Sequence, residues 1–229
     1  MSRIIIKISG EALAGTNTIY ENDTINNLIE DLRKLIKEGS ELGIVIGGGN
    51  IWRGAGKEVE RTMADQMGML ATIMNAIYFK ALAKNSNLES IVYTPFSAGA
   101  FTKLYDREDV LKNMKKGKLA IFAGGTGHPF FSTDTIPALR ALELAADRVL
   151  FAKNIDGVYN KDPNKYEDAV KYEKLTYREI LENGLEAMDL TAIVLLEKGG
   201  INSAAFPLNE KNSIYRAANE EKGFGTKIV

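Results

Sequence analysis

The sequence predicts an α/β fold: a three-layer sandwich in which a mostly parallel central sheet is covered by helices on both faces. Two observations predict it. Short apolar runs alternate with segments of helical period from one end of the chain to the other. Two of these runs, 42–46 and 119–123, empty directly into glycine turns, Gly47-Gly48-Gly49-Asn50 and Gly124-Gly125-Thr126-Gly127. In open α/β sheets ligands bind beyond the carboxyl ends of the strands, where backbone N–H groups face a shared crevice. Glycine lets the backbone approach a phosphate closely. A third candidate turn, Lys7-Ile8-Ser9-Gly10, makes a site for several phosphates, and so for phosphoryl transfer.

The elements follow in order. Residues 3–9 read as a buried first strand. Leu28, Leu32, Leu35 and Ile36 recur at helical spacing, and Gly39 stands where that helix should stop. The 42–46 strand then completes a β-α-β unit, whose right-handed crossover makes the two strands parallel. Leu70, Ile73, Met74, Ile77 and Ala81 form one stripe of a helix beginning near Asp65. Strands are expected over 90–94, 119–123 and 148–152, with a helix over 134–145 between the last two. The 148–152 strand leads into Asn154-Ile155-Asp156-Gly157-Val158-Tyr159 and an Asp162-Pro163-Asn164 turn. Helices near 177–181, 189–198 and 211–219, with strands near 201–206 and 226–229, complete the pattern. No linker, repeat or low-complexity segment interrupts it, so one compact domain over 1–229 is expected.

Composition narrows the function classes. The 229 residues are 45% hydrophobic, enough for a large core. Twenty-nine basic and 30 acidic side chains give a net charge of -1, so no global basic field for nucleic acid is present. The chain has no cysteine, which excludes disulfides, thiolate metal sites and cysteine nucleophiles. Charge soon follows the first apolar residues, unlike a signal peptide, and no apolar run approaches a membrane span. A soluble cytoplasmic protein is expected.

The phosphate-binding device is not a Walker A loop, which needs G-x-x-x-x-G-K-[ST]. Gly49 and Gly54 have the interval, but Ala55 stands where lysine must be; Gly56-Lys57 is preceded by Ile51 at the glycine position and followed by Glu58. The dinucleotide G-x-G-x-x-G is missing after the first strand, and the protein-kinase H-R-D and D-F-G signatures do not occur.

Some side chains carry chemistry on their own reading. Lys7 ends the first strand, so its ammonium can reach phosphates in the crevice. Arg53 has a planar fork suited to a terminal phosphate, and reads equally well as a helix-surface arginine. Asp65 and Asp134 each stand where a helix N-cap is expected, and Asn50 reads as a cap too. Thr126 and Thr133 can both donate and accept toward a base edge or phosphate. His128 is the only histidine.

Five segments in register resemble bacterial uridylate (UMP) kinases of the amino acid kinase superfamily. They are Lys7-Ile8-Ser9-Gly10-Glu11-Ala12-Leu13, Gly47-Gly48-Gly49-Asn50-Ile51-Trp52-Arg53-Gly54, Asp65-Gln66-Met67-Gly68-Met69-Leu70-Ala71-Thr72, Gly125 through Asp134, and Asp156-Gly157-Val158-Tyr159. Leu175-Thr176-Tyr177 and Met188-Asp189-Leu190 look like the same family's carboxyl-terminal region.

The resemblance implies transfer of the γ-phosphoryl of ATP to UMP, with Mg²⁺ on the donor phosphates and no dedicated protein metal ligand. It implies an acceptor part over about 1–146 and an ATP part over about 147–229. Lys7, Arg53 and Asp134 would be catalytic, Asp134 organising the lysines around the phosphoryl group. Gly48, Arg53, Asp65 and the loop Thr126, Gly127, His128, Pro129, Phe130, Phe131, Ser132 and Thr133 would hold UMP. Lys7, Ile8, Ser9, Gly10, Gly49, Arg53, Lys153, Tyr159 and Asp162 would hold ATP. The family's lysine after the 148–152 strand is displaced by one residue here, to Lys153, a step that reverses a side chain's face on a strand. The resemblance also implies a homohexamer built from dimers, UTP as inhibitor and GTP as effector near 15–20, where this chain has no basic cluster. A carboxylate-phosphorylating kinase of the same superfamily and a catalytically silent uridine-nucleotide sensor stay open as alternatives.

Overall fold

The computed structural model describes residues 2–53, 58–185 and 187–229; the 54–57 stretch tested above for a P-loop lies outside them. In β1 (Arg3–Ile8) the alternation of a strand sends Ile4, Ile6 and Ile8 into one core and Ile5 into another, with Lys7 on the Ile5 face. β1 pairs with β2 (Glu41–Ile46) on one side and β6 (Arg148–Lys153) on the other. Beyond β2 lie β5 (Leu119–Phe122), β3 (Ser90–Thr94) and the edge strand β4 (Lys103–Leu104). Beyond β6 lie β8 (Asn202–Pro207), β9 (Thr226–Ile228) and β7 (Lys174–Leu175). Among the described residues this is a nine-stranded sheet, parallel throughout except where β8 meets β9.

Helices cover both faces, as expected. α1 (Asn22–Lys37), α2 (Arg61–Asn85) and α7 (Ser213–Ala218) pack on the Ile4 face. α3 (Arg107–Met114), α4 (Thr135–Leu144), α5 (Tyr177–Glu182) and α6 (Leu190–Gly199) pack on the Ile5 face. The chain leaves β1 toward β2 and returns on its other side as β6, so the carboxyl ends of β2, β1 and β6 surround the point where the winding reverses. That point is where α/β sheets open a crevice.

Several sequence expectations shift. The helix expected near Asp65 starts four residues earlier, because the Glu60 carboxylate accepts from the Thr62 N–H at 3.2 Å and caps it. Of its expected apolar stripe, Ile73 is buried, whereas Leu70, Met74 and Ile77 are exposed. The helix expected over 211–219 starts only at Ser213. Asn212 has φ +56°, and the N–H groups of Ile214 and Tyr215 are taken by Asp31 of α1, at 3.0 and 3.3 Å. α3, β4 and β7 have no counterpart among the elements expected from sequence.

Candidate functional site

The two glycine turns need glycine for different reasons. After β5, Gly124, Gly125 and Gly127 have φ of +79°, +63° and +83°, the left-handed region that side chains disfavour. After β2 the requirement is closeness: a Cβ on Gly48 would lie 3.0 Å from the Ala71 Cβ and from the Gly68 carbonyl. Helix α2 pins both turns. Thr72 Oγ1 accepts from the Gly124 N–H at 2.8 Å. The fully buried Asn75 donates to the Gly47 carbonyl at 2.7 Å and pairs amide to amide with Asn50. Asn50, expected to cap a helix, instead ties the turn to Asn75 and to the Ile19 carbonyl, 3.0 Å away.

Replacing Asn75 by leucine keeps most of its volume but strands the Gly47 carbonyl and the Asn50 side-chain oxygen. We expect a loss of about 1–3 kcal/mol, read as a lower urea midpoint at unchanged slope.

A cluster of three charges sits at the head of the crevice. Lys7 Nζ lies 3.0 Å from Asp134 Oδ1, and Lys153 Nζ lies 3.7 Å from Asp134 Oδ2. Asp134 occupies the N-cap position of α4, yet its side chain makes no capping bond; it faces the lysines instead. Lys7 pairs with Phe151, and Lys153 is two residues on from Phe151, so both lysines emerge on one face of the sheet. The one-residue displacement therefore leaves the lysine on the side where Asp134 lies. Burial pushes the Asp134 carboxyl up, but the two ammonium groups outweigh it and hold it below the ordinary carboxylate value. Burial lowers Lys153 below the ordinary lysine value; Asp134 offsets part of this, and Lys7 adds to it.

On the β2–β5 side of this cluster opens a cavity of about 430 Å³. Lys7, Gly48, Gly49, Asp65 and Asp134 line it, as do Thr126, His128, Phe131, Ser132 and Thr133 of the loop after β5. Thr126 Oγ1 folds that loop by accepting from the His128 N–H at 3.2 Å. Asp65 Oδ2 accepts from the Phe130 N–H at 2.7 Å and so ties the loop to α2.

On the β6 side, beside α5 and α6, a cavity of about 400 Å³ shares Asp134 with the first and is also lined by Lys153. It shares Gly184 and Leu185 with a third cavity of about 350 Å³, which holds Tyr159 and Asp162. The Tyr159 hydroxyl donates to Asp156 Oδ1 at 2.5 Å, and Asp162 Oδ1 accepts from the Asn164 N–H at 2.9 Å in the expected turn.

Other expected site residues lie apart from these cavities. Ile8 is fully buried, and the Ser9 hydroxyl accepts from the Ala12 N–H at 3.3 Å, capping a short 3-10 turn. Gly10 packs so tightly that a Cβ would meet the Gly47 carbonyl at 2.6 Å. Arg53 is exposed and paired with Glu11. Conversely, Arg61, Trp52 and Thr72 line the first cavity and Asp189 the second, and none was assigned a role from sequence. Asp189 caps α6 through the Ala192 N–H at 2.8 Å and accepts from Ser132 Oγ at 2.7 Å. The i,i+4 spacing of Arg61 and Asp65 was the available signal for the first of these.

A parallel sheet of this order, with glycine turns and paired lysines at its winding reversal, defines a phosphoryl-transfer scaffold. Residues 2–204 match the amino acid kinase family, and the chain belongs to that family. Within it, the chain is similar to solved UMP kinases. That from Ureaplasma parvum is 34% identical, with 99% of this chain and 98% of that chain covered and a TM-score of 0.94. That from Bacillus anthracis is 32% identical, with 99% and 95% covered and a TM-score of 0.94. The uridylate kinase from Archaeoglobus fulgidus, 24% identical with both chains covered in full, shares the fold at a TM-score of 0.76.

Proposed function

We propose that this chain is a UMP kinase: it transfers the γ-phosphoryl of ATP to UMP, giving ADP and UDP in pyrimidine nucleotide synthesis. The carrying observation is the Lys7–Asp134–Lys153 cluster at the junction of two cavities. UMP occupies the first cavity, with Asp65 toward the ribose and the 126–133 loop around the uracil. ATP lies along the second and third, with Tyr159 and Asp162 at its nucleoside; Gly49, at the edge of the first cavity, faces its phosphates, and Ile8, Ser9 and Gly10, which line none of the cavities, shape the turn beside it. A UMP phosphate oxygen attacks the γ-phosphorus, and the bond to the β,γ-bridging oxygen breaks with its electron pair leaving on ADP. Lys7 neutralises the charge spread over the moving phosphoryl group, and Lys153 serves the donor phosphates. Arg53 exchanges Glu11 for the acceptor phosphate, the more highly charged partner.

Among the described residues no three metal-ligating side chains converge. Asp134 already carries two ammonium groups, so the residues fit a Mg²⁺ carried by phosphate oxygens and water. The ion supplies charge neutralisation on the donor phosphates.

No described helix is long and apolar enough to cross a membrane, in keeping with a proposed cytoplasmic enzyme. The exposed Met63, Met67, Leu70, Met74 and Ile77 recur at 4-3-4-3 spacing along α2 and are the proposed dimer face within a homohexamer. UTP, which shares the uridine of the acceptor, is the proposed inhibitor. GTP is proposed to act at the 15–20 loop, which the Ile19–Asn50 bond links to the glycine turn.

The test is ADP release by purified protein with Mg²⁺-ATP and UMP, CMP, dUMP, carbamate or N-acetylglutamate. Turnover should be fastest with UMP. Turnover confined to a carboxylate or carbamate acceptor, or UMP binding without turnover, would overturn the reading.

A further inference from the structure

Arg61 opens α2, one helical turn before Asp65, and both line the first cavity. Its Nε donates to both carboxylate oxygens of Asp65, at 2.9 and 2.8 Å. Asp65 Oδ2 also accepts from the Phe130 N–H. Phe130 has φ +72°, a conformation that a bulky side chain adopts only when its surroundings hold it there. The Arg61 guanidinium carbon lies 5.7 Å from the centre of the Phe130 ring. The Asp65 carboxylate thus joins two parts of the site: the start of α2 and the strained residue of the acceptor loop.

Stability does not account for this arrangement. The Arg61 side chain is 64% exposed, and an exposed i,i+4 pair contributes little to folding. Its geometry has a consequence for recognition instead. A carboxylate offers about four acceptor positions. Arg61 Nε bridges the two oxygens and the Phe130 N–H takes a further position on Oδ2, which fixes the rotation of the group and leaves Oδ1 an acceptor position at the cavity that Asp65 lines.

We propose that Arg61 is a positioning residue for the acceptor nucleotide: through Asp65 it sets how the site grips the ribose hydroxyls and holds the Phe130 loop closed. This rests on the reading of the first cavity as the UMP site. The electrostatics agree. Burial pushes Asp65 up, but the bonds from Arg61 and the Phe130 N–H outweigh it and hold the carboxyl below its ordinary value.

The test measures calorimetric affinity for UMP and for 2′-deoxy-UMP, without ATP, in the wild type, Arg61→Met and Arg61→Lys. UMP affinity should fall about tenfold in Arg61→Met, the loss expected of a charge-assisted hydrogen bond. Deoxy-UMP affinity should fall by much less, so discrimination between the two collapses. Arg61→Lys should restore part of that discrimination, because it keeps the charge beside Asp65. The acid limb of UMP affinity should also move to higher pH in Arg61→Met. Equal losses for both nucleotides would overturn the proposal, since a phosphate contact or a loosened fold does not distinguish them; so would unchanged affinities. A wild type that binds neither nucleotide would overturn the acceptor site itself. Binding without turnover would sink only the kinase reading.

Discussion

Lys7→Met lowers kcat about 1000-fold while the KM for UMP changes by less than about threefold, when initial rates of ADP release are compared at saturating Mg²⁺-ATP. The magnitude is that of removing one donor aimed at developing charge in a water-poor site. Lys7 qualifies by position: its side chain is only 12% exposed and its Nζ is held 3.0 Å from Asp134 at the boundary between the two proposed nucleotide cavities. The asymmetry between kcat and KM follows because the charge on the moving group is greatest at the transition state, not in bound UMP. Methionine keeps the apolar stem, and Lys153 still faces Asp134, so the carboxylate is not left alone. Turnover within a few-fold of wild type would remove Lys7 from the chemistry. A loss carried by KM would make it an acceptor-binding residue.

The strands and turns that build the crevice were legible because each carries its own local signal. β2 and β5 are continuous apolar runs ending in glycines, as parallel strands buried on both faces require. Lys7 and Asp134 were legible by motif, but their meeting was not: 127 positions separate them, and only strand alternation and the start of α4 bring them together. The displaced Lys153 shows the limit of motif reading. Counting residues made its face ambiguous; the register, Lys7 opposite Phe151 and Lys153 two residues on, places it toward Asp134.

Which face of helix α2 meets the core was not legible in the sequence, for a physical reason. It is apolar nearly all round, so periodicity could not tell its core face from its exposed one. Residues 65, 68, 72 and 75 follow the site, whereas 63, 67, 70, 74 and 77 run along the opposite side, exposed. The same helix therefore holds both glycine turns on one side and presents an apolar stripe on the other. α3 was missed because its first turn is crowded with charge. The Asp106 carboxylate, accepting from the Asp109 N–H at 2.7 Å, was the usable sign of its start. β4, two exposed residues at a sheet edge, offers the sequence no pattern.

Asp134→Asn should lower kcat about 100-fold and change its pH dependence, an effect of comparable weight reached by another route. Asparagine keeps the shape of the side chain but removes the charge between two ammonium groups. Lys153, already below the ordinary lysine value through burial, loses the attraction that partly offset it and keeps the repulsion of Lys7. Its pKa drops further. The alkaline limb of kcat therefore moves to lower pH, and part of the lost rate returns as the assay is made more acidic. Stability moves with the same groups. Wild-type Asp134 is depressed in the folded state, so its contribution is present above the ordinary carboxylate value and disappears as pH falls through the folded one. Removing it leaves two buried cations facing each other, at a cost of about 3–5 kcal/mol near neutral pH. For Lys153 the slope has the same sign in a more alkaline window: between its folded value and 10.5 the unfolded chain holds the extra proton, so stability again rises with pH. The substitution widens the window downward. Urea unfolding of both proteins at pH 7 and pH 9.5 should show the deficit of Asp134→Asn shrinking at the higher pH. A deficit independent of pH, together with an unshifted alkaline limb, would mean that Asp134 orders the loop after β5 without governing the charge on the lysines.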